Sequence, residues 1–161
     1  MDHTAKSRNE IDRNMTWDLS RLYADDAQWE KDFAEIDDGV KAFLKFKGRL
    51  AESPETLLAA FQADDELGLV LERLYVYAHL KADEDTGNSA NRARLDRISA
   101  KHAEIGGECA WFQPELIAMD EKVFEHYCNS PVLAFYKRTL DEIGKERKHT
   151  LSAAEERILS M

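Results

Sequence analysis

The histidine spacing bears first on what chemistry the chain can do. A zinc peptidase signature of the form H-E-x-x-H sets two imidazoles one helical turn apart, with a glutamate between them as base. The five histidines are His3, His79, His102, His126 and His149, and no two are four residues apart. Cys109, His126 and Cys128 together offer three metal ligands. Their spacing matches no common zinc site, and His102 and Cys109 lie on one apolar stripe, so core packing is the expectation for both. Glu146-x-x-His149 is a single copy of a pattern that di-iron bundles need twice, with two further glutamates. Neither cysteine has an electropositive setting that would lower its pKa, and no G-x-S-x-G and no phosphate-binding glycine loop occurs. Asp83-Glu84-Asp85 is read as a solvated or capping helix end, and Tyr75 and Tyr77 are expected in the core. These residues assemble no self-contained active site.

The elements that carry these residues are helical. Asp25 or Asp26 is placed to cap a helix on which Trp29, Phe33, Ile36, Val40 and Phe43 recur at steps of four and three. Ser53-Pro54 starts a second helix running to about residue 82. Leu67, Leu71, Leu74 and Ala78 form one stripe on it, Val70 and Tyr77 a second, and Leu69, Val76 and Leu80 a third. A helix apolar on so many sides calls for more than one covering neighbour. Thr86 or Asn88 opens a third helix, with a stripe at Leu95, Ile98, His102, Ile105, Cys109 and Phe112. Gly106-Gly107 hints at a kink or a close helix approach in it, and Pro114 ends the run. Asp120 caps a short helix, Ser130-Pro131 opens another, and Ser152 with Glu155 forms a capping box. The spacing predicts an all-α, antiparallel multi-helix bundle of three long helices (26–47, 54–82, 89–112) and about three shorter ones. Residues 1–24 form an N-terminal arm, anchored through Trp17, Leu19, Leu22 and Tyr23, and 25–161 the helical body.

A chain of 161 residues suits one domain that needs no disulfide. Its net charge of −10 makes nucleic acid an improbable partner. Residues 51–90 carry two cations, Arg73 and Lys81, against nine carboxylates, a local net charge of −7, which suits a basic peptide or a basic partner if it is more than a solvated face. No apolar run is long enough for a membrane span and the first 20 residues hold no secretory core, so two free thiols in a reducing cytoplasm are expected.

TWDLSRLY (16–23), KFKGRL (45–50), LYVYAHLKADEDTGN (74–88), FQPELIAMDEKVFEHY (112–127) and HTLSAAEERIL (149–159) resemble, in order, the N-terminal part of oligoendopeptidase F, a thimet-oligopeptidase-like zinc metallopeptidase. The resemblance covers nearly the whole chain from Thr16. It implies a helical enzyme of two lobes around a narrow channel that admits oligopeptides and excludes folded proteins. It also implies zinc on an H-E-x-x-H plus a downstream Glu in a catalytic lobe, where zinc-bound water attacks the scissile carbonyl and the motif Glu is the base. Neither the motif nor any catalytic or metal residue has a counterpart here, so the chain by itself is expected to be inactive and free of cofactor. What transfers is a channel wall that confines or gates substrate, with the catalytic lobe and oligopeptides as partners. The short stretch after the Ser152 capping box suggests a helix cut near its start. Tyr75, His79 and Asp83, spaced by four, are the candidates for a channel or inter-lobe face. The surplus apolar surface of 67–80, or the end around Ile158, predicts self-association of the isolated chain, stronger at high salt. The alternative is a stand-alone helical interaction module without catalysis.

Overall fold

The computed structural model describes residues 10–147. The Ser152–Glu155 capping box, His3, His149 and Ile158 lie outside the described residues. The described residues form an all-α bundle with no strand. Its helices are α1 (Asp26–Leu44), α2 (Pro54–Glu84), α3 (Ser89–Cys109), α4 (Phe112–Ala118), α5 (Glu121–Cys128) and α6 (Lys137–Arg147), with short 3₁₀ turns at Arg13–Met15, Leu19–Arg21 and Pro131–Tyr136. No described helix is long and apolar enough to cross a membrane.

Short polar side chains begin the helices where the sequence places them. Asp25 Oδ1 accepts from the Gln28 amide, Ser53 Oγ from Thr56, and Asn88 Oδ1 from Ala90 and Asn91. Asp120 accepts from Lys122 and Val123 at the start of α5. Each satisfies amide hydrogens that the first turn leaves without a carbonyl. Three boundaries differ from expectation. Helix α1 stops at Leu44, because the amides of Phe46, Lys47 and Arg49 bond back only three residues and tighten the chain into turns before Gly48. Gly48 has φ +78°, a left-handed conformation that a side chain would strain. Pro114 does not end α3, which stops at Cys109; it sits in the first turn of α4, where its missing N–H costs nothing. Ser130 makes no cap, and Pro131 opens a 3₁₀ turn ahead of α6. Gly106 and Gly107 produce neither a break nor a close approach: α3 continues to Cys109, and a Cβ at either position would meet open space.

The chain divides into two compact units. The first comprises Met1–Lys41 and Asp65–Gly107. Here α1 and α2 run antiparallel: Trp29 Nε1 donates to the Leu74 carbonyl (2.9 Å), and the Tyr77 hydroxyl donates to Asp26 (2.8 Å). Trp29, Ile36, Val40, Leu67, Leu74, Tyr77, Ala78, Ile98 and Ile105 are buried. Tyr23 anchors the arm: it is buried, meets the Tyr77 ring edge-on, and lies under the Arg73 guanidinium, which also donates to the Leu22 carbonyl. Trp17 stays half exposed. Helix α3 docks on α1 through ion pairs, Arg94 to Asp26 (2.8 Å), Arg97 to Glu30 (2.8 Å) and Lys101 to Asp37 (3.2 Å).

The second unit comprises Ala42–Asp64 and Glu108–Met161. Its core holds Leu50, Leu57, Phe61, Leu116, Phe124, Leu133 and Leu140. Phe61 stacks on Tyr136 with centroids 4.4 Å apart. Glu115 accepts from the amides of Gly48 (2.7 Å) and Leu50 (3.0 Å), so the KFKGRL turn is held by the first acid of α4.

Candidate functional site

Tyr75, His79 and Asp83 stand on one side of α2, as their spacing of four requires. The Tyr75 and His79 rings lie 5.8 Å apart, and His79 Nδ1 reaches Asp83 Oδ2 at 3.1 Å. All three are exposed. Tyr75 is 36% exposed, so its expected place in the core is corrected: it lies at the edge where α2 meets α3, opposite the small Ser99. His102 is also exposed, against the core expectation. The buried side of α3 is turned toward Arg94, Ile98 and Ile105, and its charged edge is taken up by the pairs to α1. That leaves His102 on the α2 side, 6.1 Å from the Tyr75 ring. His102 thus joins the Tyr75 cluster, which the apolar stripe alone did not suggest. Tyr75, Ser99 and His102 line an open hollow of about 220 Å³. The Ser99 hydroxyl donates to the Leu95 carbonyl (2.8 Å), so it is committed to its own helix. A larger hollow of about 410 Å³ lies where the arm meets α2, with Trp17, Tyr23, Tyr77 and Lys81 on its walls.

These groups can bind by stacking, by hydrogen bonds and by charge, but they do not position a nucleophile. Asp83-Glu84-Asp85 behaves as a helix end: Asp83 faces His79, and Asp85 Oδ1 accepts from Gly87. Cys109 and Cys128 are half-buried free thiols. Burial pushes both pKa values up, and nearby carboxylates add to the shift, Asp64 and Glu108 at Cys109 and Asp141 at Cys128. That is the wrong direction for a reactive thiolate. Among the described residues, no three His, Cys, Asp or Glu side chains come together in a group able to hold a metal, so Cys109, His126 and Cys128 do not assemble as a trio. Glu146 accepts from Gln113 Nε2 (2.6 Å).

Comparison with known proteins decides what kind of chain this is. A family model described as Oligopeptidase F matches residues 115–161. Oligopeptidase PepF of Bacillus subtilis (strain 168) is 32% identical over 95% of this chain and 23% of its own length. Oligoendopeptidase F of Lactococcus lactis subsp. cremoris, the plasmid form, is 28% identical over 97% of this chain and 26% of its own length. This is an oligoendopeptidase F-like chain, and it matches the N-terminal region of such proteins. The solved oligoendopeptidase-F from Enterococcus faecium superposes with a TM-score of 0.69 at 30% identity, covering 83% of this chain and 26% of that one. A solved chain from Chlamydophila abortus gives 0.83 at 28% identity, covering 98% and 27%. The oligoendopeptidase F-like chain therefore spans about a quarter of the length of the relatives it matches. Its described residues fit no zinc ion, and no step of a metal-assisted reaction is assigned to them.

Proposed function

We propose that this chain is a substrate-confining, channel-wall region of an oligoendopeptidase F-like zinc endopeptidase acting on short peptides, and that it is catalytically inactive by itself. One observation carries this: 95–97% of the chain aligns with only 23–26% of curated oligoendopeptidase F relatives, while its own sequence holds no H-E-x-x-H. Hydrolysis of an amide at neutral pH needs an activated water and stabilisation of the developing oxyanion. The chain's exposed Tyr75, His79, Asp83 and His102 supply neither together, which favours a wall role over a chemical one. Their contribution is contact with a passing peptide or with the catalytic region of the longer protein, the two partners this role requires. Zinc and its ligands belong, in this proposal, to that catalytic region. We place the protein in the cytoplasm, where two half-buried free thiols persist unoxidised.

The coding frame beyond Met161 tests the assignment. A helical continuation carrying H-E-x-x-H is the expected result. A stop directly after Met161 in the native gene would favour a stand-alone helical interaction module instead.

A further inference from the structure

Of the three apolar stripes on α2, two are covered within the first unit. Leu67, Leu74 and Ala78 are buried, and Tyr77, on the second stripe, is buried against Tyr23 of the arm. Among the described residues, no member of the third stripe, Leu69, Val76 and Leu80, is fully buried. Leu69 is 63% exposed, and Val76 and Leu80 are only partly buried. At about 100° per residue these three fall within about 40° of one another, on the side where Glu72, His79 and Asp83 also point outward. The charge on this side is negative. Glu72 lies one turn from both Leu69 and Val76, and Asp83 follows beyond His79. Arg73, one turn on from Leu69 and on the same side, is the one cation here among the described residues, and its guanidinium is engaged by the Leu22 carbonyl (2.8 Å) and the Tyr23 ring (4.9 Å).

We infer that this outward face of α2 is a docking surface for oligopeptides that carry Lys or Arg beside a branched apolar side chain. Leu69, Val76 and Leu80 take the apolar residue, and Glu72 and Asp83 face the cation. Charge selects the occupant, and it argues against the self-association through residues 67–80 that the sequence predicts. A second copy would bring this face, within a stretch of net charge −7, against its own like, whereas a basic peptide gains from the same carboxylates. An acidic or purely polar peptide satisfies at most one half of the surface. The inference rests on the substrate-confining role proposed above, and it names the peptide class that role would favour.

The test is fluorescence anisotropy with the 161-residue chain and three labelled short peptides, alternating Lys with Leu, Glu with Leu, and Lys with Ser. The Lys/Leu peptide is expected to bind at least about tenfold more tightly than either of the others. Leu69→Gln should weaken it about tenfold and Glu72→Lys about fivefold. Both positions are exposed, so both variants should keep the parent's helical circular dichroism and melting temperature. Three outcomes would overturn the inference: no binding or equal binding of the three peptides; affinity unchanged in both variants; or a chain that sediments as a dimer and becomes monomeric on Leu69→Gln, which would make a second copy the occupant. The coding frame judges the peptidase assignment separately. H-E-x-x-H without peptide preference removes this surface alone, and selective binding with a stop after Met161 removes the peptidase role alone.

Discussion

Asp26 holds two partners at once, the Tyr77 hydroxyl at 2.8 Å and Arg94 at 2.8 Å. The Arg94 side chain is only 9% exposed and that of Asp26 47%. Removing the carboxylate leaves a nearly buried guanidinium with the Asn91 side chain but without its counter-charge, so Asp26→Ala should cost about 2 kcal/mol, between the values of exposed and of buried pairs. The Asp38–Lys41 pair, with side chains 79% and 71% exposed, is the control, and Asp38→Ala should leave the stability essentially unchanged. Urea midpoints of the two variants check the contrast. The tyrosines behind this pair set an alkaline limit. Burial first, and Asp32 nearby, push the Tyr23 hydroxyl from 10.0 up to about 12, and burial with the Asp26 bond raises Tyr77 as well. A hydroxyl that titrates higher folded than unfolded gives its full contribution below the unfolded value and loses it as pH rises through the folded one. Stability should therefore fall between pH 10 and about 12, and Tyr23→Phe should flatten that slope in denaturation series run across this range. The burial of Tyr23 and Tyr77 was legible in the sequence, but the pairing around them was not. Asp26, Glu30 and Asp37 on one helix and Arg94, Arg97 and Lys101 on another look like solvated charges until the helices are docked, and their pairing is what displaced His102 from the core.

The starts of α1, α2, α3 and α5 were legible; the starts of α4 and α6 and the end of α1 were not. Asp25, Ser53, Asn88 and Asp120 act through amides two or three residues away, so the signal is local and survives in sequence. The end of α1 depends on a tertiary partner, because Glu115 holds the Gly48 and Leu50 amides from 67 and 65 residues away. The end of α4 is set the same way. Arg147 donates to the carbonyls of Leu116 (2.9 Å), Ile117 (2.6 Å) and Met119 (2.7 Å), and to Glu121 (2.9 Å). Its guanidinium also lies 4.5 Å from the centre of the Phe124 ring. In Arg147→Ala the Ile117 and Met119 carbonyls lose this donor and the Leu116 carbonyl keeps only the Met119 amide, which should cost about 2–3 kcal/mol. Arg147→Lys should recover less than half of that, because an ammonium cannot fork among three acceptors as a guanidinium does. Thermal melts of the two variants beside the parent chain read both effects.

At the scale of the whole chain, the absent motif was the clearest message of the sequence, and the docking face the least clear. The scatter of five histidines needs no structure to be seen. Which of three apolar stripes on α2 stays uncovered depends on where the arm and α3 settle, and the exposure of Leu69 emerges only then. In the proposed role these 161 residues shape the path of a peptide and do not cut it. Zinc content and peptide cleavage, measured together on chelator-washed, zinc-reconstituted chain with a quenched fluorescent oligopeptide, test it most directly. The predicted result is no stoichiometric zinc and no chelator-sensitive cleavage. One tightly held zinc per chain with chelator-sensitive turnover would contradict it, and would direct attention to Cys109, His126 and Cys128.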